Sequence, residues 1–221
     1  MRLINCLIVF LLSMLSVNVD NSIYARSYCL IDGNTLEVLA SKNKDEIRSV
    51  ASISKIMTAL ISIESDRLFE VITVDEVIYQ IEGSSLYLEV GNEITIIDLV
   101  YGLLLRSGND AAVLLASNLS SSIEDFALLM NNKAKEIGMK NTTFHNPSGL
   151  DIFDEGNLST TYDMSLLMAY CLNNPLFREI SSTKYYKTPL KGQWKNKNKL
   201  LFDYEYCISG KTGVGTIFCV I

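Results

Sequence analysis

The chain has one histidine in 221 residues, His145, and that scarcity narrows the possible hydrolytic chemistry. A metallopeptidase built on H-E-x-x-H needs two histidines on one helix face. A Ser-His-Asp triad would have to run through His145, which sits beside Asn146-Pro147 in a turn and reads as a structural or surface residue. Clustered cysteines are missing too. Cys29, Cys171, Cys207 and Cys219 are widely spaced, with no C-x-x-C and no histidine partners. No metal and no cofactor is therefore expected. Spacing does not settle their pairing, and they read as buried thiols in strands and one helix. No Lys/Arg cluster stands out among 19 basic and 25 acidic residues, which leave a net charge of −6. The electrostatic footprint of a nucleic-acid binder is absent. There are no internal repeats and no low-complexity linker, and the length fits one domain with a substantial core.

The first residues do carry a signal. Met1-Arg2 is followed by an apolar run from Leu3 to Val17, interrupted by Asn5, Cys6, Ser13 and Ser16. It resembles a secretory signal peptide more than a spanning helix. Residues 1–20 are assigned to it and residues 21–221 to the folded domain, with an extracytoplasmic location, secreted or in the cell envelope. Membrane association through an uncleaved N-terminus stays open.

Apolar periodicity divides the domain. Ser27 to Ile31 and Leu36 to Ala40 flank Asp32-Gly33-Asn34-Thr35 as a hairpin. A helix is expected from Ser52 to about Glu64, with Ile53, Ile56, Met57, Leu60 and Ile61 on its inner face. Thr95 opens another that stops at Arg106-Ser107-Gly108, where glycine ends it and Asn109-Asp110 caps the next. Ser122 to Ile137 forms a helix stopped by Gly138, and Thr160-x-x-Asp163 starts one more. After Pro175 the pattern reads as strand and loop, including Leu200-Leu201-Phe202 and Tyr206 to Ser209. Strands at both ends around a block of helices predict an α/β sandwich with a helical insert.

Ser52-Ile53-Ser54-Lys55 places a serine and a lysine about one helical turn apart on one face. A lysine in a dehydrated pocket loses part of its preference for the charged form and can take a serine's proton. Alone, the pair reads as a helix cap and a snorkelling amine, and Ser-x-x-Lys recurs at Ser41/Lys44 and Ser181/Lys184. Ser107-Gly108-Asn109, at a helix break, reads in isolation as a cap. Lys211-Thr212-Gly213 follows an apolar strand entry. A phosphate loop is rejected there, because Glu205 stands where glycine is required and Thr216 to Val220 reads as strand.

The order of the three motifs changes their weight. Ser52-x-x-Lys55, Ser107-x-Asn109 and Lys211-Thr212-Gly213 form the signature of penicillin-recognising serine acyltransferases. With Gly83-Ser84-Ser85, Asn146-Pro147-Ser148-Gly149-Leu150-Asp151 and Asn196-Lys197-Asn198-Lys199-Leu200-Leu201, the chain resembles the D-alanyl-D-alanine carboxypeptidases, the low-molecular-weight penicillin-binding proteins, from about Ser27 to Gly213. The resemblance implies a β-lactamase/transpeptidase-like sandwich of an antiparallel sheet with a helical subdomain. It implies Ser52 as nucleophile toward a peptidoglycan stem peptide, Lys55 as base, and Ser107 as proton relay. Asn109 would hold Lys55 and the substrate amide, and Lys211 and Thr212 the terminal carboxylate. Gly213 would flank the substrate, and the N–H groups of Ser52 and Val214 would form the oxyanion hole. β-Lactams would be covalent inhibitors. Family members continue past Lys-Thr-Gly with further strands, a helix, a second domain and a membrane anchor. Here Val214-Gly215-Thr216 follows and the sequence runs to Ile221, so the sheet is expected to be incomplete and the chain marginal or inactive alone. A β-lactamase-like hydrolase, and an inactive homologue that only binds cell wall or β-lactam, are the rival readings.

Overall fold

Helix formation in this chain follows its caps and its apolar stripes. A computed structural model of the protein describes residues 24–79, 81–151, 156–188, 190 and 192–213. The assigned signal segment, Cys219, Val214 and the expected strand from Thr216 lie outside the described residues. Strands β1 (Tyr28–Ile31) and β2 (Val38–Lys42) form the expected antiparallel hairpin. The Asp32 carboxylate accepts the N–H groups of Asn34 and Thr35 in its turn, at 2.9 and 2.8 Å. After β3 (Arg48–Ser49) comes a 3-10 turn (Ala51–Ser54) and then α1 (Lys55–Ile63).

The next elements are β4 (Val71–Thr73), β5 (Glu93–Thr95), α2 (Ile96–Arg106), α3 (Asn109–Leu119) and α4 (Ile123–Ile137). Thr95 and Asp98 form a reciprocal capping box on α2, Ser122 caps α4, and Gly138 ends it at φ 91°. Then follow β6 (Leu158–Ser159), α5 (Thr161–Leu172) capped by Thr160, α6 (Pro175–Ser182), β7 (Tyr185–Lys187), β8 (Gln193–Lys195) and α7 (Leu200–Asp203).

Helix α1 is the axis of the core. Ile56, Met57, Ala59 and Leu60 are fully buried, and α2, α3, α4, α5 and α6 all pack around it. A helix enclosed in this way gives its side chains fixed positions, because an interior packed to crystal-like density leaves them few alternative rotamers.

Three expectations are corrected. Pro175 begins a helix, not strand and loop. The Asn174 side chain accepts the N–H groups of Leu176 and Phe177, and proline occupies the first turn, where its missing N–H costs nothing. Leu200-Leu201-Phe202 is likewise helical, and Tyr206 to Ser209 forms no strand. The strands make four separate antiparallel pairs, β1–β2, β3–β6, β4–β5 and β7–β8. The architecture is mixed α/β, with a helical block and an incomplete sheet among the described residues.

Candidate active site

Ser52 lies in the 3-10 turn rather than on the first turn of α1, and no side chain caps that helix. In a 3-10 turn residues i and i+3 eclipse, which sharpens the Ser-x-x-Lys juxtaposition. The Lys55 amine lies 3.1 Å from Ser52 Oγ. Ala51 takes φ 43°, a left-handed conformation that costs a residue with a Cβ about 1–2 kcal/mol. Surrounding contacts hold it there. Ser54 Oγ donates to the Ala51 carbonyl at 2.7 Å, and the Val50 amide donates to the Asn157 carbonyl at 3.0 Å. Gly149, at φ +75°, presses so closely that a Cβ there would fall 1.8 Å from the Ala51 oxygen.

The turn that carries Gly149 is braced by two asparagines. Asn146 Oδ1 accepts the N–H groups of Ser148 and Gly149, at 3.1 and 2.7 Å. Asn157, fully buried, accepts the His145 and Asn146 amides and donates to the Asn146 carbonyl at 2.8 Å. The turn in turn grips α1: the Thr58 hydroxyl donates to the Pro147 carbonyl at 2.7 Å, and the Lys55 amine donates to the Ser148 carbonyl. Lys55 is 0% exposed. Desolvation pulls its pKa well below the usual amine range, the Lys211 and Lys197 charges push the same way, and Asp110 opposes them weakly.

At the break between α2 and α3 it is Ser107, at φ 65° and ψ 33°, that takes the left-handed position expected of glycine. Gly108 serves a different need. It has φ −60°, and a Cβ on it would come within 2.6 Å of Leu86 Cγ. The glycine therefore provides room for Leu86. Asp110 holds that same segment, accepting from Ser85 Oγ at 2.6 Å and from the Leu86 amide at 2.8 Å. The Asn109 amide N–H donates to Ser84 O at 2.7 Å and its side-chain amide to Glu82 O at 2.6 Å. Its Oδ1 is buried and unpartnered among the described residues. The contacts of Lys55 run to Ser52 and Ser148, not to Asn109 as the resemblance implied.

Lys211 is 2% exposed, and its amine donates to Ser107 Oγ at 3.0 Å and to the Thr212 carbonyl at 2.5 Å. Burial, helped by the Lys197 charge, brings its pKa down to about 7. A Cβ on Gly213 would sit 3.1 Å from Ile53 Cγ1 and 3.7 Å from the Ser52 amide nitrogen. The three motifs therefore converge, and Thr212 is half-buried. A pocket of about 380 Å³ opens beside them, lined by Ser52, Gly83, Ser84, Asn109, Leu150 and Asp151 among others. A larger hollow of about 570 Å³ lies between the end of α1 and α4, where Lys133 pairs with Glu64 and Glu136, but no residue of the three motifs is among its described lining. His145 is exposed and stands apart from the motifs.

The Ser41/Lys44 and Ser181/Lys184 repeats stay outside the cleft: Lys44 pairs with Asp45, and Lys184 stacks over Phe202. Sequence reasoning did not single out Asn157, and it quoted Ser148 and Lys197 only within longer segments, with no role assigned. Lys197 donates to Ser84 Oγ at 3.2 Å and bears electrostatically on both buried lysines. Nothing in a lone asparagine or lysine announces such a role. A desolvated lysine amine against a serine hydroxyl, with a second amine–hydroxyl pair alongside, is equipped for acyl transfer.

The sequence profile of the D-alanyl-D-alanine carboxypeptidases matches residues 14–217. The D-alanyl-D-alanine carboxypeptidase DacF of Bacillus subtilis (strain 168) is 36% identical over 198 residues, covering 86% of this chain and 50% of that protein. The crystal structure of D-alanyl-D-alanine carboxypeptidase from Mycobacterium tuberculosis H37Rv matches with a TM-score of 0.82 at 31% identity, covering 86% of this chain and 72% of that one. Penicillin-binding protein D2 from Listeria monocytogenes, in its cefotaxime-bound form, matches with a TM-score of 0.77 at 30% identity, over 86% of this chain and 78% of that one. The chain spans about half the length of the curated relatives it matches.

Proposed function

The chain belongs to the D-alanyl-D-alanine carboxypeptidase family, and from that premise we propose that it removes the terminal D-alanine of peptidoglycan stem peptides through a Ser52 acyl-enzyme and is acylated at Ser52 by β-lactams. The observation that carries the reading is the desolvated Lys55 amine 3.1 Å from Ser52 Oγ, with the Lys211–Ser107 pair beside it.

The chemistry follows from the protonation states. Lys55, whose charged form burial disfavours, accepts the Ser52 proton as Oγ attacks the carbonyl carbon between the two D-alanines. The developing oxyanion is met by the Ser52 N–H; Val214, the second donor of this reading, lies outside the described residues. One such donor is typically worth about 3–4 kcal/mol of barrier. On collapse the C–N bond breaks and the leaving D-alanine nitrogen takes a proton through the Ser107 hydroxyl. Water then attacks the Ser52 ester, releasing the shortened peptide and restoring the hydroxyl. Lys211 and Thr212 receive the terminal carboxylate, which would stabilise the charged form of Lys211 on binding. A β-lactam follows the same attack, but its leaving nitrogen stays tethered and the ester persists.

Stem peptides lie outside the cytoplasm, so the same reading assigns residues 1–20 to export. The charged start and apolar run from Leu3 to Val17 support that assignment, with an uncleaved membrane anchor as its variant. The test is labelling with a fluorescent penicillin alongside release of D-alanine from a D-Ala-D-Ala peptide. Wild type is expected to label and Ser52→Ala to lose both signals. Equal labelling of the two, or no labelling of either, would overturn the assignment.

A further inference from the structure

Acyl transfer makes no direct use of Asp110, a carboxylate in the first turn of α3 next to Asn109. It is 2% exposed, and the ion pairs of the described residues are formed elsewhere. A buried charge without a cation persists only where hydrogen bonds compensate it. Oδ2 accepts from Ser85 Oγ at 2.6 Å, from the Leu86 amide at 2.8 Å and, at a longer 3.5 Å, from the Leu88 amide. Oδ1 accepts from the Leu86 amide at 3.0 Å and from the Ala111 amide at 2.9 Å. A carboxamide could not reproduce this set, because it has a single acceptor oxygen and its NH2 group would face N–H donors.

Apart from Ala111, these donors belong to residues 85–88, a segment with a strained centre. Tyr87 takes φ 60°, a left-handed value that a bulky side chain disfavours, and its amide donates to Ser85 Oγ at 2.8 Å. The carboxylate grips the backbone on both sides of this residue, at Leu86 and at Leu88. Asn109 holds the stretch just before it, through Ser84 O at 2.7 Å and Glu82 O at 2.6 Å. Gly83 and Ser84 line the pocket together with Ser52, and Ser84 Oγ accepts from Lys197. We propose that Asp110 is a positioning residue for acylation: acting through residues 85–88 rather than by touching substrate, it sets the Gly83–Ser84 wall against which the acyl donor is seated. This rests on the carboxypeptidase reading above and adds a residue to that same site. A second consequence is electrostatic. Burial, Lys211 and Lys197 disfavour the charged form of Lys55, and among the charges acting on that amine Asp110 opposes them.

Penicillin acylation tests this when it is followed across pH and resolved by saturation into a half-saturating concentration and a limiting rate. Asp110→Asn is expected to raise the half-saturating concentration about tenfold. It should also move the rising limb of the second-order acylation rate to lower pH, because the charge that favours protonated Lys55 is gone. Ser85→Ala keeps that charge and removes one bond of the grip. It should raise half-saturation about two- to threefold and leave the limb in place. A general loosening of the fold would instead admit water to Lys55 and move the limb to higher pH. A limb that stays or moves upward in Asp110→Asn, or a half-saturating concentration unchanged in Ser85→Ala, overturns the inference, while labelling of wild type keeps the carboxypeptidase reading intact. If Asp110→Asn shows no cooperative unfolding, the half-saturating concentration of Ser85→Ala decides alone. Failure of wild type to label overturns both.

Discussion

The two walls of the cleft hold their lysines by different means. Lys55 projects from a helix buried on nearly every side, and the turn from His145 to Gly149 is braced against that helix through Asn146 and Asn157. Among the described residues, Lys211 sits on a segment with no strand pairing beyond a single bridge position, held by its own bonds to Ser107 and Thr212 and by the approach of Gly213 to Ile53. On the first wall catalytic geometry and core stability are one property. On the second they can be separated by mutation.

The largest effect should come from Gly149→Ala. Overpacking against the Ala51 carbonyl and a left-handed alanine together should cost about 3 kcal/mol or more, read by denaturant unfolding, with penicillin acylation lost as well. Gly138→Ala is its control: the same sign of φ, but no atom within 4 Å of the added methyl, and an expected cost of about 1 kcal/mol. Equal costs would show that the clamp over Ala51 is not real. Asn157→Ala comes next, at about 2–3 kcal/mol, because it removes the acceptor of the part-buried His145 and Asn146 amides together with the donor to the Asn146 carbonyl. Its acylation rate should fall together with its stability.

Lys211→Met should break that parallel. Acylation is expected to drop about 10- to 100-fold through loss of a charge-assisted bond to the carboxylate, while stability at neutral pH holds or rises. The sign follows from linkage. Between pH 7 and the ordinary lysine range the unfolded chain binds a proton that folded Lys211, with its pKa of about 7, does not. Wild-type stability therefore increases with pH across that window, and Lys211→Met should flatten the slope in pH-dependent unfolding curves. The smallest effect is expected for Lys197→Ala, since its side chain is exposed and its field is screened. The Lys197 charge lowers the pKa of both buried amines, so without it the rising limb of the acylation pH profile should move to higher pH. A shift to lower pH would contradict the electrostatic picture of the cleft.

Much of the helical wall was legible in the sequence because its signals are local. The stripe from Ile53 to Ile61, the caps at Thr95, Ser122 and Thr160, and the stop at Gly138 each depend on residues within a turn of one another. The helix at Pro175 was also written locally, in Asn174-Pro175, but proline was taken as an ending when here it begins the element. At Ser107-Gly108 the glycine suggested the left-handed residue. Its real constraint is Leu86, a contact across more than twenty positions that no local pattern reveals. Asn157 escaped for the same reason, since its partners are backbone groups of a distant turn. The motifs identified which residues meet, and long-range packing decided which atoms do.

The bond from Lys55 to the Ser148 carbonyl has a consequence in the proton inventory of the amine. A neutral primary amine has two hydrogens and one lone pair, and only the lone pair can take a proton from serine. A carbonyl oxygen can only accept, so it claims a hydrogen and turns the nitrogen about its final C–N bond. The second hydrogen and the lone pair are left on the side of Ser52, and it is the lone pair that must meet the serine hydroxyl when the attack begins. The group that sets this orientation belongs to the backbone, so a change of side chain at position 148 leaves it in place. Only a shift of the turn itself, as at Gly149 or Asn157, can take this acceptor away.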